Sequence, residues 1–212
     1  MAPDAAGRCA ATWAPVPFVP EITLLTASEP WALWDASGRD APPFWAFPWA
    51  GGQALARYVL DNPAVVRGRR VLDVASGSGL VAIAAAKAGA ASVTAGDIDP
   101  DALAAIRRNA AANEVTASVR EIDVARDDAG RAEVVLAADV FYQRDLAAAS
   151  LAFLRRASLA GADALCGDPG RAFVPREYLN ALATYEVPVL TAIEDAAVKA
   201  VTVYRLPRQG PC

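Results

Sequence analysis

The run Val71-Leu72-Asp73-Val74-Ala75-Ser76-Gly77-Ser78-Gly79-Leu80 places a carboxylate beside a loop of small side chains. Small residues let a ligand approach the backbone closely, and the first N–H groups of a following helix point at it. Further aspartates, Asp97, Asp123 and Asp139, each close a short apolar segment downstream. An ionised carboxylate accepts hydrogen bonds and offers none. The set therefore suits a nucleoside-type ligand that presents hydroxyls, amines and positive charge.

Two cofactors meet this pattern unequally. Gly77-Ser78-Gly79-Leu80-Val81-Ala82 follows the G-x-G-x-x-G/A spacing, and Asp97 lies 20 residues after Gly77. That is the dinucleotide fingerprint with its ribose acid, and alone it admits NAD. Asp73 argues the other way. A carboxylate beside the loop repels a pyrophosphate but suits the ammonium of a methionine-like group. Asp97 is expected to take both ribose hydroxyls, and Asp123 to accept from the adenine amine. These demands describe S-adenosylmethionine, which carries ribose, adenine, ammonium and sulfonium but no phosphate. A hydride-transfer enzyme also needs an acid, and the chain has neither histidine nor a Tyr-x-x-x-Lys pair.

Such residues need elements that bring them to one edge. Strands are expected at 71–74, 92–96, 117–122, 133–138 and 162–166, and helices at 80–88, 101–112, 146–158 and 176–183. Two late strands, 186–193 and 200–206, share a short link that permits an antiparallel hairpin. The alternation predicts an α/β, Rossmann-like fold with a mostly parallel sheet and helices on both faces. In such sheets ligands bind beyond the carboxyl ends of the strands. Ahead of this core, residues 1–20 read as an extended arm and 22–25 and 31–34 as short strands about a turn at Ser28-Glu29-Pro30. Residues 53–60 have helical spacing. The expected organisation is an arm and short hairpin at 1–43, a catalytic domain at 44–206 and a tail at 207–212.

Composition bounds the chemistry. The chain has 212 residues, 55% hydrophobic and 21% charged, which suits one globular domain with a sizeable core. It contains no histidine. That removes Ser-His-Asp and Cys-His catalysis and nearly all catalytic zinc sites. Cys9, Cys166 and Cys212 lack metal-ligand spacing, so no metal is expected, and a reducing cytoplasm is the simplest compartment. No apolar run reaches the ~18 residues of a membrane span, and no membrane partner is expected. A net charge of −4 argues against a nucleic-acid partner. The Arg67, Arg69 and Arg70 cluster reads as a solvated turn before a strand.

Residues 71–79 together with Gly96-Asp97-Ile98-Asp99-Pro100 resemble the seven-strand class I methyltransferases. The resemblance implies S-adenosylmethionine as cofactor and a seven-stranded sheet with an antiparallel last strand. It assigns cofactor contacts to Asp73, Ala75, Ser76, Gly77, Gly79, Asp97, Ile98 and Asp123. Ala75 departs from the family pattern, which has glycine there, and an alanine is expected to need negative φ. The segment from Pro43 through Trp49, Gly51, Gly52 and Gln53 to Tyr58 is similar to that of the electron transfer flavoprotein β-subunit lysine methyltransferases. Asp139-Val140-Phe141-Tyr142 matches the D-x-x-Y/F substrate motif of related protein methyltransferases. The implied partner is a protein substrate, electron transfer flavoprotein β-subunit. A ribosomal protein or a small amine stands as the alternative acceptor.

Methyl transfer needs a neutral, aligned amine. A lysine arrives protonated, with a free pKa near ~10.4. A carboxylate can dock the ammonium, a ring can hold it by cation–π attraction, and burial favours loss of the proton. Asp139 and Tyr142 are the catalytic candidates, with Trp49 walling the cofactor and substrate channel. The plainer alternatives are a helix cap for Asp139 and packing for Tyr142. Gln53 reads as a cofactor contact or a cap, Asp99 as the cap of the helix opened by Pro100, and Cys166 as a buried apolar residue.

Overall fold

Runs of Val, Ala and Leu that are covered on both faces form central strands, and helices with one small-residue face pack on them. The computed structural model describes residues 11–27, 34, 38, 42–189, 191 and 196–208. Strands β1 (Ala11–Val16) and β2 (Val19–Ala27) make an antiparallel hairpin. Strands β3 (Arg70–Val74), β4 (Ser92–Asp97), β5 (Ser118–Glu121), β6 (Val134–Ala138), β7 (Asp163–Asp168), β8 (Asn180–Pro188) and β9 (Val198–Leu206) build a seven-stranded sheet. Its order is β5-β4-β3-β6-β7-β9-β8, and β9 runs antiparallel to both neighbours. The direction of winding reverses between β3 and β6, which opens a crevice at their carboxyl ends.

Helices α1 (Ala50–Asp61), α2 (Leu80–Lys87) and α3 (Pro100–Ala112) share one face of the sheet, where Leu55, Val59, Val81 and Ile106 meet Val71, Leu136, Leu165 and Val203. Helix α4 (Arg144–Leu159) covers the other face, where Phe153 and Leu154 meet Val135, Ala137 and Cys166. Cys166 is buried, as expected, and burial pushes its thiol pKa up. The hairpin closes the first layer. Val16, Val19, Ile22 and Leu24 pack on Ala56, Leu80, Ile83 and Ala84. Asn109 and Asn113 of the α3 end accept the N–H groups of Leu25 and Thr23, which ties β2 to the helix.

Two expectations change, and a third falls on residues that are not described. Residues 11–16 form β1 rather than part of an extended arm, because β2 pairs with them across Ala11–Val16. The second expected strand, 31–34, lies outside the described residues apart from Trp34. The helix expected at 176–183 is a 3-10 turn, Arg176–Tyr178, running into β8. There the ladder to β9 overrides the helix propensity of Ala and Leu. Arg67 and Arg70 are exposed, as expected of a solvated turn, while Arg69 is half-buried. Arg69 bridges Asp163 at 2.8 Å and the carbonyl of Glu133 at 2.6 Å, and Arg70 pairs with Glu133 at 3.3 Å. No helix among the described residues is long and apolar enough to cross a membrane.

Candidate active site

The loop after β3 is a chain of left-handed backbone positions. Ala75, Gly77 and Gly79 have φ of 50°, 54° and 84°. Ala75 therefore does not keep the negative φ expected of it. Its cost is offset by the bonds that fix the loop on both sides. Ser76 N–H donates to the Gly96 carbonyl at 3.0 Å, and Asn109 Nδ2 donates to the Ser78 carbonyl at 2.7 Å. Gly79 then caps α2, whose N-terminus faces the loop.

Asp73 is turned beneath the loop and is 1% exposed. Its Oδ2 accepts from the Ser76 hydroxyl and from Ala82 N–H. Burial pushes its pKa up to about 7, against those two bonds. Asp73 thus braces the loop through Oδ2.

Asp97 ends β4 as expected. Its Oδ2 accepts from Gly77 N–H at 2.8 Å and its Oδ1 from Asp99 N–H at 3.0 Å. One bond on each oxygen leaves a lone pair on each for a pair of hydroxyls. Burial raises its pKa, with Asp99 adding to the effect. Ile98 beside it is 64% exposed, a large apolar side chain left in water at the rim of the site. Asp99 caps α3 through Asp101 N–H at 3.0 Å. Asp123 is engaged in its own turn: its Oδ1 accepts from Ala125 N–H at 2.8 Å and its Oδ2 lies 3.4 Å from Arg126. An adenine amine at Asp123 would share those oxygens.

The site therefore fits S-adenosylmethionine on its own geometry. It has a cradle of small residues, a two-sided carboxylate for ribose, and an exposed aliphatic side chain beside it. A cavity of about 480 Å³ lies elsewhere, lined by the starts of β3 and β4 and by residues 126–132, away from this loop.

Asp139 follows β6 with φ of 54°. Its Oδ2 accepts Gly52 N–H at 2.9 Å, so the carboxylate caps the N-terminus of α1. The following helix, α4, is not the one it caps; the N-cap there is Gln143. Asp139 Oδ1 lies 3.4 Å from the guanidinium of Arg171. Burial pushes the Asp139 pKa up to about 6; Arg171 opposes the shift and Asp168 adds to it. Trp49 precedes α1, and its Nε1 donates to the Phe44 carbonyl at 2.8 Å. The Tyr142 ring lies 5.5 Å from Phe44, and Phe44 lies 5.8 Å from Trp49. Burial raises the Tyr142 pKa, with Asp97 next in effect. Trp49, Phe44, Tyr142 and Asp139 thus form one wall. Gln53 does not belong to it. It is 1% exposed, donates to the Pro48 carbonyl at 2.8 Å and accepts Phe18 N–H at 3.1 Å, so it ties the hairpin to α1.

The structure adds residues that were not singled out as site residues. Gly51 allows α1 to touch the sheet: a Cβ there would lie 2.4 Å from the Gly167 carbonyl and 2.6 Å from Asp139 Oδ2. Arg171 has no motif of its own, and its signal lies only in the turn Asp168-Pro169-Gly170 ahead of it. Asn109 reaches the loop from a helix 31 residues away from Ser78 in sequence.

Residues 53–141 match the family Ribosomal protein L11 methyltransferase (PrmA). The whole fold is similar to a broader group. The electron transfer flavoprotein beta subunit lysine methyltransferase of Mus musculus is 39% identical over 88% of this chain and 77% of its own. That of Xenopus laevis is 36% identical over 89% of this chain and 80% of its own. The crystal structure of magnesium protoporphyrin IX methyltransferase from Synechocystis, with bound SAM, shares the fold at a TM-score of 0.54. It is 13% identical, over 74% of this chain and 78% of that one.

Proposed function

We infer the acceptor from a premise of kinship: the chain belongs to the electron transfer flavoprotein beta subunit lysine methyltransferase family. It is an S-adenosylmethionine-dependent methyltransferase. Its proposed substrate is a lysine on the β-subunit of electron transfer flavoprotein. The carrying observation is the extent of the likeness. Identity to these relatives covers 88% and 89% of the chain, well beyond the cofactor core. The match to ribosomal protein L11 methyltransferases stops at residues 53–141 and leaves out Trp49 and Arg171.

When bound, S-adenosylmethionine supplies an electrophilic methyl group. The chain must hold that cofactor and bring a neutral amine to it. On the cofactor side, Asp97 would offer one lone pair per oxygen to the ribose, the exposed Ile98 would pack on the adenine, and residues 75–79 would make room for the methionine part. On the acceptor side, Asp139 supplies a fixed carboxylate, and Trp49 and Tyr142 supply ring faces. A lysine ammonium docks there by charge and cation–π attraction. Partial burial then favours its neutral form. Alignment of this kind supplies up to about 7–11 kcal/mol of a reaction barrier in favourable cases.

The test is direct. Purified flavoprotein β-subunit, incubated with the enzyme and methyl-labelled cofactor, should acquire label on lysine. Asp139→Asn enzyme should bind the cofactor and transfer little. Label found on ribosomal protein and absent from the flavoprotein would overturn the assignment of substrate.

A further inference from the structure

The turn after β7 is built to deliver a cation. Asp168 is fully buried, and its Oδ1 accepts the N–H groups of Gly170 and Arg171 at 2.7 Å each. Gly170 has φ of 88°, which turns the chain back over the end of the sheet. Arg171 is thereby aimed at the wall described above. Its guanidinium stands 3.4 Å from Asp139 Oδ1 and 5.8 Å from the centre of the Trp49 ring. The other oxygen of Asp139 is committed to Gly52 N–H.

A carboxylate edge joined to an aromatic face is the chemistry that recognises an ammonium group. Here that edge and that face already hold a cation of the protein itself. A second cation cannot share them at such distances without strong repulsion. We propose that Arg171 is the resident occupant of the acceptor seat, and that a substrate lysine ammonium binds by displacing it. The proposal rests on reading Asp139 and Trp49 as that seat.

The arrangement has two consequences. Without acceptor, the buried Asp139 keeps a partner, and a buried carboxylate stripped of its partner is strongly destabilising. With acceptor, only a group that replaces the lost charge can enter, so Arg171 selects cationic amines against neutral or anionic ones. Arg171 is 23% exposed, and the displaced guanidinium has solvent beside it to move into.

Two variants of the full chain test this, both assayed at mildly alkaline pH. R171A removes the competitor. Its KM for a lysine acceptor should fall about two- to fivefold, the equivalent of one weak ion pair. R171K puts an amine in the seat while keeping the charge. Incubated with S-adenosylmethionine alone, it should gain a methyl group at that position by intact-mass and peptide mass spectrometry, while the wild-type chain gains none there. That readout needs no external acceptor, so it stands apart from whether the flavoprotein is the substrate. An unmodified R171K together with a raised KM in R171A would overturn the proposal and leave Arg171 as a clamp that positions Asp139.

Discussion

Gly52 N–H donates to Asp139 Oδ2 at 2.9 Å across 87 residues of sequence. One bond therefore joins the start of α1 to the end of β6. It sets the aromatic segment ahead of α1 against the carboxylate that closes the sheet. The acceptor wall exists because these two elements meet, and they meet because residue 51 has no side chain.

Gly51→Ala and Gly52→Ala should differ sharply. A Cβ at Gly51 would fall 2.4 Å from the Gly167 carbonyl, whereas one at Gly52 would lie 3.8 Å from Leu80. The first substitution should cost roughly 1–3 kcal/mol through overpacking, with loss of turnover. The second should be neutral or stabilise by up to about 1 kcal/mol. Denaturant unfolding of both variants checks this.

Asp97→Ala should weaken cofactor binding by about 1.5–3 kcal/mol, the range for a hydrogen bond to a charged group. Asp99→Ala should leave that affinity nearly unchanged and cost about 1 kcal/mol of stability through the lost α3 cap. Calorimetric titration with S-adenosylmethionine and thermal unfolding separate the two effects. Equal losses of affinity would place the ribose acid wrongly.

Stability should fall as pH rises from about 4 to about 7, in part through Asp73. Its folded pKa of about 7 lies above the 3.8 of an unperturbed aspartate. The folded state therefore binds the extra proton in that window, and its contribution is fully present below the unfolded pKa and lost as pH passes the folded one. The share from Asp73 is on the order of 4 kcal/mol. Asp73→Asn should flatten the slope of unfolding free energy against pH. An unchanged slope would contradict the raised pKa of Asp73.

The strand ends and their carboxylates were legible in sequence because each apolar run is short and stops at an acid or a small-residue loop. Asp97 and Asp139 could be placed at strand ends from such local signals alone, whereas Ile98 came with the family resemblance. Orientation was not legible. Asp73 and Asp97 both lie at strand ends, yet the first is buried beneath the loop on Ala82 N–H and the second is half-buried and accepts Gly77 N–H. The edge strand β8 was hidden because Ala and Leu favour a helix until β9 pairs with them. Arg171 was hidden because its relation to Asp139 spans 32 residues and passes through a turn.

Tyr142→Phe should retain most turnover, and Tyr142→Ala should lose much of it, because the ring, packed 5.5 Å from Phe44, is the proposed contact. Loss of a cation–π contact corresponds to about 0.5–2 kcal/mol, or roughly two- to thirtyfold in kcat/KM. Steady-state kinetics with a lysine acceptor measure it. Equal losses in both variants would instead implicate the hydroxyl.

The most direct measurement is a competition in one vessel. Flavoprotein β-subunit, ribosomal protein L11 and a free primary amine are mixed at equal concentration with the enzyme and labelled S-adenosylmethionine, and the products are mapped by mass spectrometry. Methyl groups should accumulate on lysine of the flavoprotein, and Asp139→Asn should abolish that signal. Methylation of the ribosomal protein or the free amine, with the flavoprotein unmodified, would contradict it.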